Sequence, residues 1–323
     1  MQNWFEDKIS NAKVLDFSME IYRKKFKSLI GYQILFSIIS ILLVVAGGLI
    51  LIPMLSLMHL SGVFGFVVFA FITFIAFSAF VCINKAGVFH MAHSYIKGED
   101  MGASEAVGKA FGSFRPVVRV VTALALCLVP IFVILGIAGV TITSITALQS
   151  KLASSTIVAL LVNVLFYAVI AATVGSYLFY SFHIAIFDKA KGFEAIGRSI
   201  HFAKGEVLKN IFRVLSISMF EWGVNLSVYG AIAAMSGLLY FVLGKMQGGA
   251  SIVTQIMLYG GKLEPFVNFI VGTLIAPIGP IIWTFYYINM KYRKEGLKMH
   301  HILDRLEQQD VEEYPKNIDI VHE

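Results

Sequence analysis

The feature that most constrains this sequence is its long stretches without a charged side chain. Asp, Glu, Lys and Arg are absent from residues 28–84, 120–150, 152–187 and 265–290. About 20 consecutive apolar residues suffice for an α-helix to cross a bilayer. Charged residues make up only 14% of the chain, well below the roughly 25% of soluble domains. The sequence therefore predicts an all-α integral membrane protein with several transmembrane helices.

Six transmembrane helices fit these stretches. The first stretch is too long for one helix, and Pro53 and Gly62 mark a break within it. The predicted spans are 28–52, 62–84, 117–140, 156–187, 211–243 and 265–290. They form a transmembrane domain over residues 1–290. A cytoplasmic tail follows over residues 291–323, helical at first and then acidic and mobile. The segment 246–263 either lies at the membrane surface or re-enters the membrane.

Lys and Arg residues are distributed unequally between the predicted loops. Of 26 such residues, all but three lie before the first span, around the second and fourth connections, or after the last span. The three exceptions are Lys151, Lys245 and Lys262. The positive-inside rule then predicts a cytoplasmic (inner) membrane protein with both termini in the cytoplasm. The net charge of +6 is explained by attraction to anionic lipid headgroups, so no nucleic-acid partner is expected.

Two segments of the predicted cytoplasmic face are alike. SEAVGKAF (residues 104–111) and FEAIGRSI (residues 193–200) each follow a Phe-His pair, which contains His90 or His183. The basic segment 16–32 is a weaker third copy. We therefore expect three parallel repeats about an axis along the membrane normal, each a short cytoplasmic amphipathic helix followed by a transmembrane hairpin. The repeat units are about 12–87, 103–187 and 193–290.

The short helices carry a carboxylate and a basic residue at positions i and i+4, where the two side chains can pair. The pairs are Glu105 with Lys109 and Glu194 with Arg198. Phe193, Ile196 and Ile200 share one face of their helix. Helices this short need the membrane interface or the rim of the bundle for stability. Two interpretations remain open: elbows that anchor the hairpins, or a surface that binds a partner or senses lipid.

The block FEAIGRSIHFAKGEVLKNIFRVL resembles the A-x-x-R-S…G block of a bacterial family, the glycerophosphoryl diester phosphodiesterase membrane domain. Ala195, Arg198, Ser199 and Gly205 occupy the positions of that block. The segment FSMEIYRKKFKSLIGYQIL also resembles the opening elbow of this family. The resemblance implies a multi-pass helical fold. It implies no phosphodiesterase activity, because catalysis in that family belongs to a separate soluble barrel that the sequence does not contain.

The fifth predicted span contains a polar stripe formed by Ser218, Glu221 and Asn225. A carboxylate at the centre of a transmembrane helix costs about 2.5–3.5 kcal/mol on insertion scales. The stripe is therefore either a proton- or cation-responsive site that contacts a polar substrate, or a hydrogen-bonded group that fixes helix packing.

His90 and His183 lie near the cytoplasmic ends of the second and fourth spans. A metal site needs about four ligands, and no matched acidic or Cys residue accompanies the two imidazoles, so we expect interfacial hydrogen bonding. Because catalytic motifs are also missing, we predict no catalytic residue, metal or cofactor.

These observations favour a non-enzymatic protein that acts as a scaffold or accessory subunit at the inner leaflet, with a possible membrane-protein partner. The alternative is a small transporter or lipid-handling protein with a polar intramembrane site around Glu221. A membrane-embedded enzyme is less favoured, because no catalytic constellation can be assembled.

Overall fold

The computed structural model describes residues 11–149, 153–246 and 267–295, and within them all side chains except those of 11, 50–61, 63, 146–149, 153–156, 239–240 and 242–246. The described residues are helices and short links, without strands. The helices are α1 (Asn11–Lys24), α2 (Phe26–Ile96), α3 (Ala103–Gly112), α4 (Phe114–Gln149), α5 (Ala153–Leu178), α6 (Ser181–Phe187), α7 (Gly192–Ala203), α8 (Val207–Met246) and α9 (Ile278–Lys294). Residues 267–275 are also helical and lead into α9. The predicted loop 246–263 and most of the predicted tail lie outside the described residues.

Five helical segments of the described chain are long and apolar enough to cross a membrane. They are Phe26–Leu49, Phe64–Ile96, Phe114–Ile145, Ile157–Phe187 and Val267–Lys294. The prediction of an all-helical, multi-pass membrane protein is therefore confirmed. The second segment was predicted to end at residue 84, but its helix continues through Lys85 to Ile96. One lysine does not end a helix whose other side chains favour it.

The predicted span 211–243 lies within α8 but is not among the five. At 40 residues, α8 is about 60 Å long and exceeds the thickness of a bilayer. Its described part is less apolar than the other segments, because polar residues such as Glu221 and Asn225 interrupt it.

The first two apolar segments form an antiparallel pair within α2. The Tyr32 hydroxyl donates to the Asn84 backbone carbonyl at 2.7 Å, and the rings of Phe36 and Phe80 lie 5.1 Å apart. Gly62, with φ +64°, interrupts the helical backbone between the two segments, in a conformation that favours glycine. The predicted break therefore coincides with the change in helix direction.

Helices α4 and α5 form a second antiparallel pair. The Asn163 amide donates to the Thr143 hydroxyl at 3.0 Å, and the Tyr167 hydroxyl donates to the Leu135 carbonyl. A third pair joins α8 to the segment 267–294, because the Tyr229 hydroxyl donates to Asn268 at 2.6 Å. Contacts between α8 and α9 continue to the opposite end of this pair, so α8 lies beside an apolar segment over most of its length.

Three of the short helices, α1, α3 and α7, pack beside the ends of these pairs. Helix α3 packs on α2, and α7 packs on α4, α5 and α6. Helix α1 packs on α9, where Phe17 stacks on Phe285 with 6.3 Å between ring centroids. The Tyr22 hydroxyl donates to the Leu274 carbonyl at 2.7 Å. The first short helix thus contacts the last hairpin, as α3 and α7 each contact the hairpin that precedes them.

Buried apolar side chains concentrate at the end of the bundle that carries the short helices. They fall mostly within 14–36, 79–125, 179–203 and 271–290. Large apolar side chains towards the opposite end are exposed, mostly within 38–49, 64–77, 126–169 and 215–241. An exposed apolar surface of this extent is what lipid chains cover in a membrane protein.

Candidate functional site

A cavity of about 560 Å³ lies within the bundle, close to the boundary between its buried and exposed ends. All three antiparallel pairs contribute to its walls, and the lining is mainly apolar. Its polar side chains are those of Gln33, Asn84, Lys85, Ser218 and Glu221, and its aromatic ones are those of Phe179, Phe182 and Trp283. A mostly apolar cavity with a few converging polar groups is the usual form of a binding site for small organic molecules.

Glu221 reaches the cavity from α8 and lies directly over Gly279 of α9. A Cβ atom added at Gly279 would overlap the Glu221 carboxylate, so the glycine makes room for this side chain between the two helices. No side chain in the described part of the chain forms a hydrogen bond or close ion pair with the carboxylate. The polar group of Glu221 is therefore available to a molecule in the cavity.

Lys85 reaches the same cavity from α2. Its ammonium lies 6.0 Å from the centroid of the Trp283 ring, a distance at which a cation and an aromatic face attract each other. Among the described carboxylates, including Glu221, none lies within 4.0 Å of this ammonium. The predicted second span ends just before Lys85, whereas α2 continues beyond this residue to Ile96.

Gln33, Asn84 and Trp283 complete the polar part of the wall. The Asn84 side-chain oxygen is buried and has no hydrogen-bond partner among the described residues. Gln33 is only 4% exposed. Trp283 is held in place by its indole N–H, which donates to the Phe179 carbonyl at 2.6 Å. The Asn84 oxygen is an acceptor without a donor, a condition that is costly for a buried polar atom.

The predicted polar stripe divides in the structure. Ser218 and Glu221 line the cavity, but Asn225 does not. The Asn225 amide instead donates to the backbone carbonyl of Glu221 at 2.9 Å. Asn225 thus bonds to the helix backbone next to the cavity. Gln33, Asn84 and Lys85 supply further polar groups, which the sequence of the fifth predicted span does not indicate.

The two matched histidines lie outside the cavity, in an aromatic cluster. His90 is 2.9 Å from the Ser113 hydroxyl, and His183, which is fully buried, is 3.4 Å from the Thr284 hydroxyl. Both imidazoles lie against the Phe187 ring, at 5.3 Å and 6.2 Å between centroids. The described residues contain no group of three metal-ligating side chains.

The predicted elbow pairs lie on the surface. Glu105 and Lys109 are 2.9 Å apart, as are Glu194 and Arg198. Glu194 also accepts a hydrogen bond from the Lys191 backbone N–H at 3.3 Å, which satisfies a free donor at the start of α7. These four charged side chains are about half exposed and do not contact the cavity.

The predicted apolar face of α7 is only partly buried in the protein. Ile196 is buried, but Phe193 is 63% exposed and Ile200 is 43% exposed. The buried positions instead include Ala195 and Ser199, because small side chains allow α7 to pack closely on its neighbours. Phe193 and Ile200 face outwards, where they are available to lipid or to another protein.

A group of charged side chains lies where α8 begins and α9 ends. The sequence did not indicate that these side chains would come together. This charged cluster consists of Glu206, Lys209, Arg213 and Arg293. The Glu206 carboxylate is 3.0 Å from both the Lys209 ammonium and the Arg293 guanidinium, and 3.7 Å from the Arg213 guanidinium. Burial raises the pKa of Glu206, but its hydrogen bonds and the charges of Lys209 and Arg293 outweigh burial and hold the pKa below its usual value.

Neutral side chains extend this cluster into the bundle. Arg213 donates to the Tyr180 hydroxyl at 3.0 Å, and that hydroxyl donates to Asn210 at 2.8 Å. The Ser199 hydroxyl accepts from the Tyr180 backbone N–H at 3.1 Å. Ser199 belongs to the A-x-x-R-S…G block, and Gly205 of that block has φ +81°, a conformation that favours glycine.

Comparisons with known proteins do not identify a relative of this chain. No family model matches the chain, no curated protein matches it, and no solved structure matches it. The resemblance to the glycerophosphoryl diester phosphodiesterase membrane domain therefore stays a prediction. Fold and site together define an all-helical membrane protein with a mixed polar and apolar cavity between its apolar helices.

Proposed function

We propose that the chain crosses the membrane six times, with both termini in the cytoplasm. The antiparallel pairing of α8 with an apolar segment supports a sixth crossing by α8. The Lys and Arg distribution supports the orientation even after Lys85 is moved into the bundle. A variant that carries Cys82→Ser, Cys127→Ser and Glu194→Cys tests this topology. We expect position 194 to react with a membrane-impermeant thiol reagent only after the inner face is exposed.

The function that the geometry supports best is that of a small transporter or lipid-handling protein that binds an amphiphilic molecule in the cavity. One observation carries this proposal: a single cavity combines Lys85 and Glu221 with aromatic and aliphatic walls. The apolar walls suit hydrocarbon and the charged groups suit a headgroup.

The position of Lys85 suggests how such a molecule reaches the site. Its side chain is exposed, although it lies within the apolar segment Phe64–Ile96. Because lipid surrounds that segment in the proposed topology, the cavity is open towards the bilayer. An amphiphile is then able to enter sideways, keeping its chains in lipid while its headgroup reaches Lys85 and Glu221.

A cavity-filling substitution tests this proposal. A Cβ atom added at Gly175, in the cavity wall, meets nothing within 4 Å, and the same holds for Gly230, which is exposed on α8 away from the cavity. We expect Gly175→Leu to remove amphiphile that co-purifies with the protein, and Gly230→Leu to leave it unchanged, as measured by mass spectrometry of the detergent-purified protein. Equal retention by both variants would mean that bound lipid lies outside the cavity.

A scaffold or accessory subunit remains the second candidate, supported by the outward-facing side chains of α7. Phe193 and Ile200 form an exposed apolar surface next to the charged pair of Glu194 and Arg198. A scaffold loses its partner when Phe193 is changed to Ser and tolerates Glu221→Gln, whereas the cavity proposal predicts the reverse for amphiphile binding. Comparing the two variants in pull-down and lipid-retention assays separates the candidates.

A further inference from the structure

We infer that the cavity selects an amphiphile with a zwitterionic headgroup, in which an anionic group and a protonated amine lie close together, as in a phosphoethanolamine lipid. This inference rests on the proposed amphiphile site and specifies its ligand. Two separate parts of the cavity wall carry it, one cationic and one made of hydrogen-bond acceptors.

The cationic part is Lys85. A charged side chain among apolar helices is costly unless an opposite charge compensates it. The Trp283 ring, 6.0 Å from the ammonium, compensates only part of this charge, and no described carboxylate is within 4.0 Å. A phosphate group provides a negative charge in direct contact with the ammonium, together with strong acceptor oxygens.

The acceptor part consists of Glu221 and Asn84. The Glu221 carboxylate has no hydrogen-bond or close ion-pair partner in the described chain, and the Asn84 side-chain oxygen is a buried acceptor without a donor. A primary ammonium carries three N–H donors and no acceptor, so it satisfies groups of this kind. A phosphate alone leaves both acceptors without a donor, and the hydroxyl donors of a phosphoglycerol headgroup lack the positive charge that attracts the Glu221 carboxylate.

Lys85 and Glu221 carry opposite charges that attract each other within the cavity without direct contact. They share one cavity, yet their charged atoms are more than 4.0 Å apart, so they form no direct salt bridge. A zwitterion placed between them bridges the two charges and adds no net charge to a low-dielectric site. The apolar residues around them, among them Val88, Leu124 and Leu178, are suited to acyl chains.

Trp283 provides a reporter inside the cavity. The chain has three Trp residues, so changing Trp4 and Trp222 to Phe leaves Trp283 as the only one. Trp222 is 76% exposed on α8, which makes its replacement mild. The purified full-length protein in detergent is titrated with phospholipids brominated on the acyl chains, and quenching of Trp283 fluorescence reports binding in the cavity.

We expect phosphatidylethanolamine to quench Trp283 at a mole fraction on the order of tenfold lower than phosphatidylglycerol does, because one charge-assisted hydrogen bond has about this effect. Phosphatidylcholine, which keeps the zwitterion but lacks N–H donors, should quench less well than phosphatidylethanolamine. Glu221→Gln should remove the preference among the three lipids, while Lys85→Gln should weaken quenching by all of them.

The outcomes separate this inference from the proposal beneath it. Equal quenching by all three lipids, abolished by Gly175→Leu, overturns the headgroup selectivity and leaves the amphiphile site intact. Stronger quenching by phosphatidylglycerol identifies an anionic ligand and also overturns the inference. Absence of quenching, or quenching that Gly175→Leu does not change, overturns the amphiphile site as well. Circular dichroism and gel filtration of each variant confirm that the fold is retained.

Discussion

Two carboxylates on the pair formed by α8 and α9 lie in opposite settings: Glu206, immediately before α8, and Glu221, within α8. Glu206, in the charged cluster, is within 3.0 Å of two cationic groups and 3.7 Å from a third. Glu221, about eight residues or 12 Å beyond Arg213 along α8, has no such partner among the described residues. The partners of Glu206 come from α8 and α9 themselves, so the difference comes from the position of each carboxylate along this one helix pair.

This difference separates a structural role from a binding role. A buried charge with close ionic partners stabilises one arrangement of the helices, and removing one partner leaves the others uncompensated. A charge without a close ion pair and an acceptor without a donor among the described residues, such as Lys85 and the Asn84 oxygen, lower stability unless a ligand satisfies them. Natural proteins retain such groups mainly at functional sites, which is why the cavity is the candidate site and the charged cluster is not.

The largest effect is expected when the charged cluster is broken. Glu206→Gln keeps the shape of the side chain but leaves Arg213, which is 9% exposed, without its negative partner. We expect a loss of about 3 kcal/mol in unfolding free energy, measured by thermal and denaturant unfolding of the protein in detergent. Glu194→Gln, in an exposed pair, is the control. If both variants unfold alike, the charged cluster does not stabilise the bundle.

A smaller effect is expected where Glu221 lies over Gly279. Gly279→Ala places a methyl group in the space of the carboxylate, and because the overlapping atom is the end of a flexible side chain, the cost is about 1 kcal/mol, the low end for overpacking. A second change, Glu221→Ala, removes the carboxylate and should restore most of the stability lost in Gly279→Ala. The control is Gly272→Ala, where a Cβ atom contacts nothing within 4 Å. A double variant no more stable than Gly279→Ala would contradict the overlap between these two residues.

The pH dependence of stability should report the pairing of Glu206. The pKa of Glu206 is held below its usual value of 4.5, so the folded state favours its ionised form. The resulting stability is fully present above that usual pKa, and it is lost as the pH falls through the lowered pKa of the folded state. Wild-type protein should therefore lose more stability between about pH 5 and about pH 3 than Glu206→Gln does. Parallel pH profiles would show that Glu206 has no such role.

Much of the fold follows from local properties of the sequence. Charge-free stretches indicated five of the six predicted spans, and Gly62 marked the interruption in α2, because hydrophobic length and backbone freedom are encoded within short segments. The predicted end of the second span was wrong, since it was placed at residue 84 and the helix continues to Ile96. A single charge does not show whether a helix ends or continues.

The site was less predictable, because it depends on contacts between distant segments. Glu221 was recognisable as a carboxylate inside an apolar helix, but nothing local indicated that Lys85 and Asn84 would face the same cavity. The sequence also did not indicate that Phe193 of α7 faces outwards while Ser199 is buried. Hydrophobic periodicity identifies an amphipathic helix but does not reveal whether lipid or protein covers each side.

The smallest effect is expected at the exposed pair of α7. Glu194 and Arg198 are 2.9 Å apart but about half exposed, and such pairs contribute only about 0.3–0.5 kcal/mol. Arg198→Gln should therefore leave unfolding and quenching of Trp283 unchanged within error. If Arg198→Gln instead releases a co-purifying protein while the bundle stays intact, α7 is a docking surface and the scaffold proposal gains direct support. Loss of amphiphile binding in this variant would contradict the separation between the surface of α7 and the cavity, because Arg198 does not line the cavity.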